Sequence, residues 1–149
     1  MDQVDTMRTD ARQIAGGALL LLNDHGYAGL TEMTLANGRR ADIAAIGASG
    51  DIAIVEVKSS IADFRSDHKW PEYQPFCDRF YFAVSEQFPA DLIPSTAGLI
   101  VADQFGGAIL RHPDECRLAA ARRKAMTLRF ARLAASRLAL PLDSAGATP

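Results

Sequence analysis

Apolar and polar positions alternate along this chain in runs of different period. From residue 11 to 24, Ile14, Ala18, Leu21 and Leu22 recur at three- and four-residue steps, which predicts a helix from about Ala11 to Asp24 that packs one face on a sheet. Asp10 is its N-cap and Gly26 its end. The period then shortens. Leu30–Leu35, Ala41–Ile46 and Ile52–Val57 read as strands, separated by Asn37-Gly38 and by the Gly47, Ser49, Gly50 and Asp51 cluster, both turn signals. FYFAV (80–84) and GLIVA (98–102) are apolar throughout and read as strands covered on both faces, with Phe88–Ser95 a loop between them. Gly106-Gly107 predicts a turn into a short strand, Ala108–Arg111. From Cys116 the spacing is helical again, with Leu118, Ala121, Ala125 and Leu128 on a loosely apolar face.

The segment between the third strand and FYFAV breaks these patterns. Pro71 and Pro75 forbid one clean helix through SDHKWPEYQPFCDRF, so a helical turn near Asp63 and a helix starting near Pro71 are expected. The crossover is long enough to carry a helix and make strand three and FYFAV a parallel pair. The predicted architecture is α/β: a mixed central sheet flanked by helices, with residues 10–140 as one domain and 1–9 and 141–149 as loose tails.

Three polar residues interrupt the apolar strands: Asp42, Glu56 and Lys58. A hairpin turning about Ser49 sets Asp42 opposite Glu56, with Cβ atoms about 5 Å apart. Lys58, two residues on, projects from the same face as Glu56. Two carboxylates that close repel unless one keeps a proton or a cation lies between them, and Mg²⁺ or Mn²⁺ suits such a pair. The plainer reading of these residues is a salt bridge at a strand end. Glu32 is a further acid. A two-residue turn at Asn37-Gly38 puts it opposite Ile43, and a three-residue loop or bulge puts it opposite Asp42.

Charge and cysteine content change the picture in two places. The formal net charge of the 149 residues is -2, so any nucleic-acid contact must come from a local patch. One such patch exists: Arg117, Arg122, Arg123, Lys124, Arg129, Arg132 and Arg137 follow Cys116 with no acid before Leu142. It reads either as a track for a phosphate backbone or as a solvated face balancing acids elsewhere. Cys77 and Cys116 form no metal or disulfide framework, the polar start shows no signal peptide, and no apolar run spans a bilayer, so a cytoplasmic protein is expected.

The acid–hairpin–Glu56-Val57-Lys58 arrangement resembles the PD-(D/E)XK nuclease superfamily. The strings RRADIAAIG, IVEVKSSIADFRSDHKWPEY, CDRFYFAV and GLIVAD together resemble its MmcB branch of bacterial DNA repair proteins, across roughly residues 10–140. The resemblance implies a restriction-endonuclease-like αβββαβ core with an extra C-terminal basic helix. It implies a Mg²⁺- or Mn²⁺-dependent DNA nuclease, or else a DNA-structure-binding repair module that does not cut. Asp42 and Glu56 would be metal ligands, completed by the Val57 carbonyl and with Glu32 as a further candidate, and Lys58 would be catalytic. Lys69 and Tyr73 resemble a Q-x-x-x-Y pair of RecB-type nucleases, with lysine for glutamine. Arg39, Arg40, Ser59, Arg122, Arg123, Lys124 and Arg129 are the candidate DNA contacts. Ala41 replaces the proline of the superfamily name, and the first helix lacks the glutamate that many of these nucleases carry there. DNA is the expected partner, with a homodimer and other repair proteins as further expected contacts.

Overall fold

A computed structural model describes residues 9–146; of residues 141–146 only the backbone is described. Helix α1 spans Ala11–Asp24, as its periodicity predicts. Asp10 and Gln13 close it with reciprocal side-chain-to-backbone bonds, a capping box that satisfies two otherwise orphaned donors. Six strands follow: β1 (Tyr27–Thr34), β2 (Arg40–Gly47), β3 (Ile52–Lys58), β4 (Arg79–Val84), β5 (Gly98–Asp103) and β6 (Gly106–Arg111). They form one sheet in sequence order. The pairs β1–β2, β2–β3 and β5–β6 are antiparallel, and β3–β4 and β4–β5 are parallel.

The alternation of side chains across β3 divides the core. Ala53, Val55 and Val57 face α1 with Ile14, Ala18, Leu21 and Leu22. Ile52 and Ile54 face the other layer, with Phe80, Phe82 and Val84 of β4. That second layer is built from the crossover and the C-terminal helix. Helix α2 (Ile61–Ser66) starts on the Ser60 side chain. The segment Trp70–Phe76 is a 3₁₀ helix, because Pro75 has no N–H to give to an α-helical bond. Trp70 stacks on Phe80 at 5.7 Å between ring centroids and meets Phe82 edge-on, so it packs over the sheet.

Helix α3 (Ala120–Gly146) starts later than expected and ends later. Residues 112–119 form no helix or strand, and the backbone there is tied to Asp78: Cys116 N–H donates to its carbonyl and Leu118 N–H to its carboxylate. At the other end the helix continues through Pro141, where a loose tail was expected; the alanine- and leucine-rich surroundings favour helix strongly enough to tolerate the one lost bond. Of the expected tails at 1–9 and 141–149, residues 1–8 and 147–149 lie outside the described residues. No helix among the described residues is long and apolar enough to cross a membrane.

Candidate active site

The β2–β3 ladder runs from Ile46–Ile52 to Ile43–Val55, and one further step sets Asp42 opposite Glu56. There the side chains take over from the backbone. Asp42 N–H donates to Glu56 Oε1 at 3.0 Å, and Val57 N–H donates to Asp42 Oδ2 at 2.8 Å. Each carboxyl group is thus anchored to the opposite strand. Glu56 is buried and Asp42 half-buried. Burial and then the Asp42 charge push the Glu56 carboxyl well above the usual carboxylate range.

Lys58 lies two residues further on the same face, also buried. Its ammonium is held by Asp67 Oδ2 at 2.7 Å, with Asp63 at 3.9 Å. The other Asp67 oxygen accepts Lys69 N–H, and the bond from Lys58 helps hold the Asp67 carboxyl below its ordinary range despite burial. Asp67 thus both caps the end of α2 and pairs with Lys58. Helix α2 and the loop after it therefore lie over the lysine, with Ser59 exposed at their start.

Lys69 and Tyr73 do not share a face. Four residues apart on a 3₁₀ helix they point about 120° away from each other, so Lys69 is exposed and Tyr73 buried. The Tyr73 hydroxyl donates to the Arg40 carbonyl at 3.1 Å, and its ring stacks on Phe80. Burial, reinforced by the nearby Glu56 and Asp42 carboxyls, raises it to about 12, so at neutral pH it is a neutral donor. Glu32 falls in the register opposite Asp42, because the Leu35–Arg39 closure makes a three-residue loop. Its left-handed backbone, φ 54°, breaks the pairing there and leaves the residue exposed.

The basic residues divide by their contacts. Arg123 forms an ion pair with buried Asp78 at 2.7 Å and also donates to the Gly50 carbonyl, so it secures the fold and is not free for DNA. Asp78 also accepts Ile52 N–H and Leu118 N–H, and Arg123 helps hold it down at about 2. No sequence pattern singled out Asp78. Arg122 lies over the Phe76 ring and donates to the Pro75 carbonyl. Arg39 pairs with Glu72 at 2.7 Å. Arg129 and Arg137 reach the Thr34 and Glu32 carbonyls at 3.4 and 3.1 Å, which sets α3 beside the end of β1 and next to the Asp42 strand. Arg40 and Lys124 are exposed and carry no ion pair among the described residues.

Among the described residues no three His, Cys, Asp or Glu side chains cluster to hold a metal. The donor set at Asp42 and Glu56 still fits a hard divalent cation. Two carboxyls meet across a ladder, one of them raised by burial and by the other's charge, and a cation between them would take the place of its proton.

A family model described as DNA repair protein MmcB-like matches residues 3–145. The chain is 40% identical to the SPO1766 protein of unknown function from Silicibacter pomeroyi, over 93% of this chain and 94% of that one, with a TM-score of 0.88. No curated protein matches it.

Proposed function

The chain belongs to the MmcB-like family of DNA repair proteins, and we propose that within it this protein is a divalent-cation-dependent DNA nuclease. The observation that carries the reading is the crossed pair of hydrogen bonds that ties Asp42 and Glu56 to each other's strands, two residues from a buried lysine. Burying one acid opposite another is costly even with these bonds, and the raised Glu56 carboxyl marks the cost. Asp42, Glu56 and the Val57 carbonyl would hold Mg²⁺ or Mn²⁺. Bound there, the ion neutralises phosphate charge and makes water a better nucleophile.

The protein's own side chains do the remaining work. Lys58 stabilises the negative charge that grows on the phosphoryl oxygens, and burial strengthens that interaction by excluding water. Asp67 fixes the ammonium in place before substrate arrives. Exposed Arg40 and Lys69 flank the same end of the sheet and take the phosphate backbone. The neutral Tyr73 hydroxyl holds the end of β2, and hence Asp42, in register.

A non-cutting DNA-binding module is the second reading, and the Asp67–Lys58 ion pair favours it, because a lysine already neutralised is less available to a phosphate. The test is cleavage of duplex, single-stranded, flapped and branched DNA with Mg²⁺ and Mn²⁺, by wild type, Lys58→Ala and Glu56→Ala. Cleavage lost in both variants supports the nuclease. Salt-sensitive binding without cleavage, unchanged in both, supports the module.

A further inference from the structure

The carboxyl ends of three parallel strands share one edge of the sheet. Lys58 pairs with Val84, and Val84 with Val101, so the ends of β4 and β5 lie level with the lysine. With strands about 4.8 Å apart, β5 stands roughly 10 Å from β3. Beyond that end of β5 lies a cavity of about 420 Å³, lined by Thr9, Glu86, Gln87, Asp103 and Phe105. None of these residues has a part in the site described above.

Phe105 is the unusual member. It is 81% exposed, the most exposed large apolar side chain among the described residues. It does not sit on a slack loop. Its N–H donates to Asp103 Oδ1, and the neighbouring Gln104 accepts a bond from Gln13 of α1. Gly17 of α1 packs so closely on this turn that a Cβ there would run into the Asp103 and Gly106 carbonyl oxygens. The turn is braced on a helix while its aromatic ring is held out of the core.

We propose that this cavity takes an unstacked nucleobase of single-stranded DNA, with Phe105 as the stacking face. The inference rests on the proposed DNA site at Lys58 and names the form of DNA that the site receives. A ring in water that stays rigid provides a stacking surface without an ordering cost, and base–aromatic stacking tolerates any base. The polar walls suit any base. Glu86 and Asp103 present carboxylates, which accept from exocyclic amines and from the thymine N3–H, and Gln87 and Thr9 bring donors for base carbonyls. The same carboxylates repel phosphate. They keep the backbone on the side of Lys58, one or two nucleotides away, while the base turns inward.

The test is fluorescence anisotropy of labelled oligo(dC), oligo(dA) and oligo(dT), and of a blunt duplex, with Ca²⁺ in place of Mg²⁺, using wild type, Phe105→Ala and Phe105→Trp. Phe105→Ala should weaken oligo(dC) and oligo(dA) by about tenfold or more. It should leave the duplex and the melting temperature unchanged. Phe105→Trp should retain binding and be quenched by the oligonucleotide. Equal affinities for wild type and Phe105→Ala on every strand would overturn the pocket, whether or not the protein cleaves DNA. Phe105-dependent binding by a protein that never cleaves would uphold the pocket and remove the nuclease. No binding of single strands by wild type would overturn the pocket, even where duplex cleavage survives.

Discussion

At the scale of single residues, some groups are held for chemistry and others for the fold. Glu56 keeps its proton in the metal-free chain, so glutamine, which has the same shape and no charge, replaces it almost without strain. Glu56→Gln should change unfolding free energy by less than about 1 kcal/mol in urea titrations at neutral pH while abolishing cleavage. Arg123→Met is the opposite case. It leaves the Asp78 carboxylate buried without its partner and should cost about 3–5 kcal/mol by the same measurement. Lys124→Ala, one residue on and exposed, should leave stability within about 0.5 kcal/mol and lower the salt dependence of DNA binding by about one phosphate contact. Asp78 also sets a pH limit. Folded, it titrates near 2, below the ordinary aspartate value of 3.8. Its contribution of about 2 kcal/mol is therefore complete above about pH 4 and is lost as pH falls from there towards 2. Acid unfolding of wild type should show this loss, and Asp78→Asn should be flatter over the same range.

The legibility of the elements follows from where their information lies. Helix α1 was readable residue for residue, because cap, period and stop signal are all local: Asp10, the Ile14–Leu22 stripe and Gly26. The β2–β3 register was readable for the same reason, a tight turn at Ser49-Gly50 between alternating strands. The site pair Asp42 and Glu56 came with it. What stayed hidden depends on distant partners. Nothing near Asp78 announces that it will hold together β3, the 112–119 segment and Arg123, and that binding is what delays the start of α3. Arg123 looked like its neighbours in a basic run and is not. Lys69 and Tyr73 looked paired only under α-helical spacing, which Pro75 denies them. Gly16 and Gly17 stand side by side in α1 with different surroundings. A Cβ at Gly16 meets nothing within 4 Å, whereas at Gly17 it meets the backbone of the β5–β6 turn. Gly16→Ala should therefore raise the melting temperature slightly, by the helix propensity gained, and Gly17→Ala should cost about 1–3 kcal/mol of stability.

At the scale of the whole molecule, the sheet brings three things to one edge. The opposed acids stand where β2 meets β3, the lysine ends β3, and the Phe105 turn follows β5. The loop after helix α2 covers the lysine through Asp67, and α3 flanks β1 beside the Asp42 strand. This concentration at the carboxyl ends of the parallel strands is the usual place for a site in an α/β sheet, because the ladder ends there and backbone and side-chain groups are freed for other partners. The central claim is that Asp42 and Glu56 form a cation site rather than a structural pair. A calorimetric titration of Mn²⁺ into the wild type and into a double Asp42→Asn, Glu56→Gln variant tests it most directly. Wild type should give a binding isotherm that disappears in the variant, with both proteins folded. Identical isotherms, or no binding to either, would contradict it.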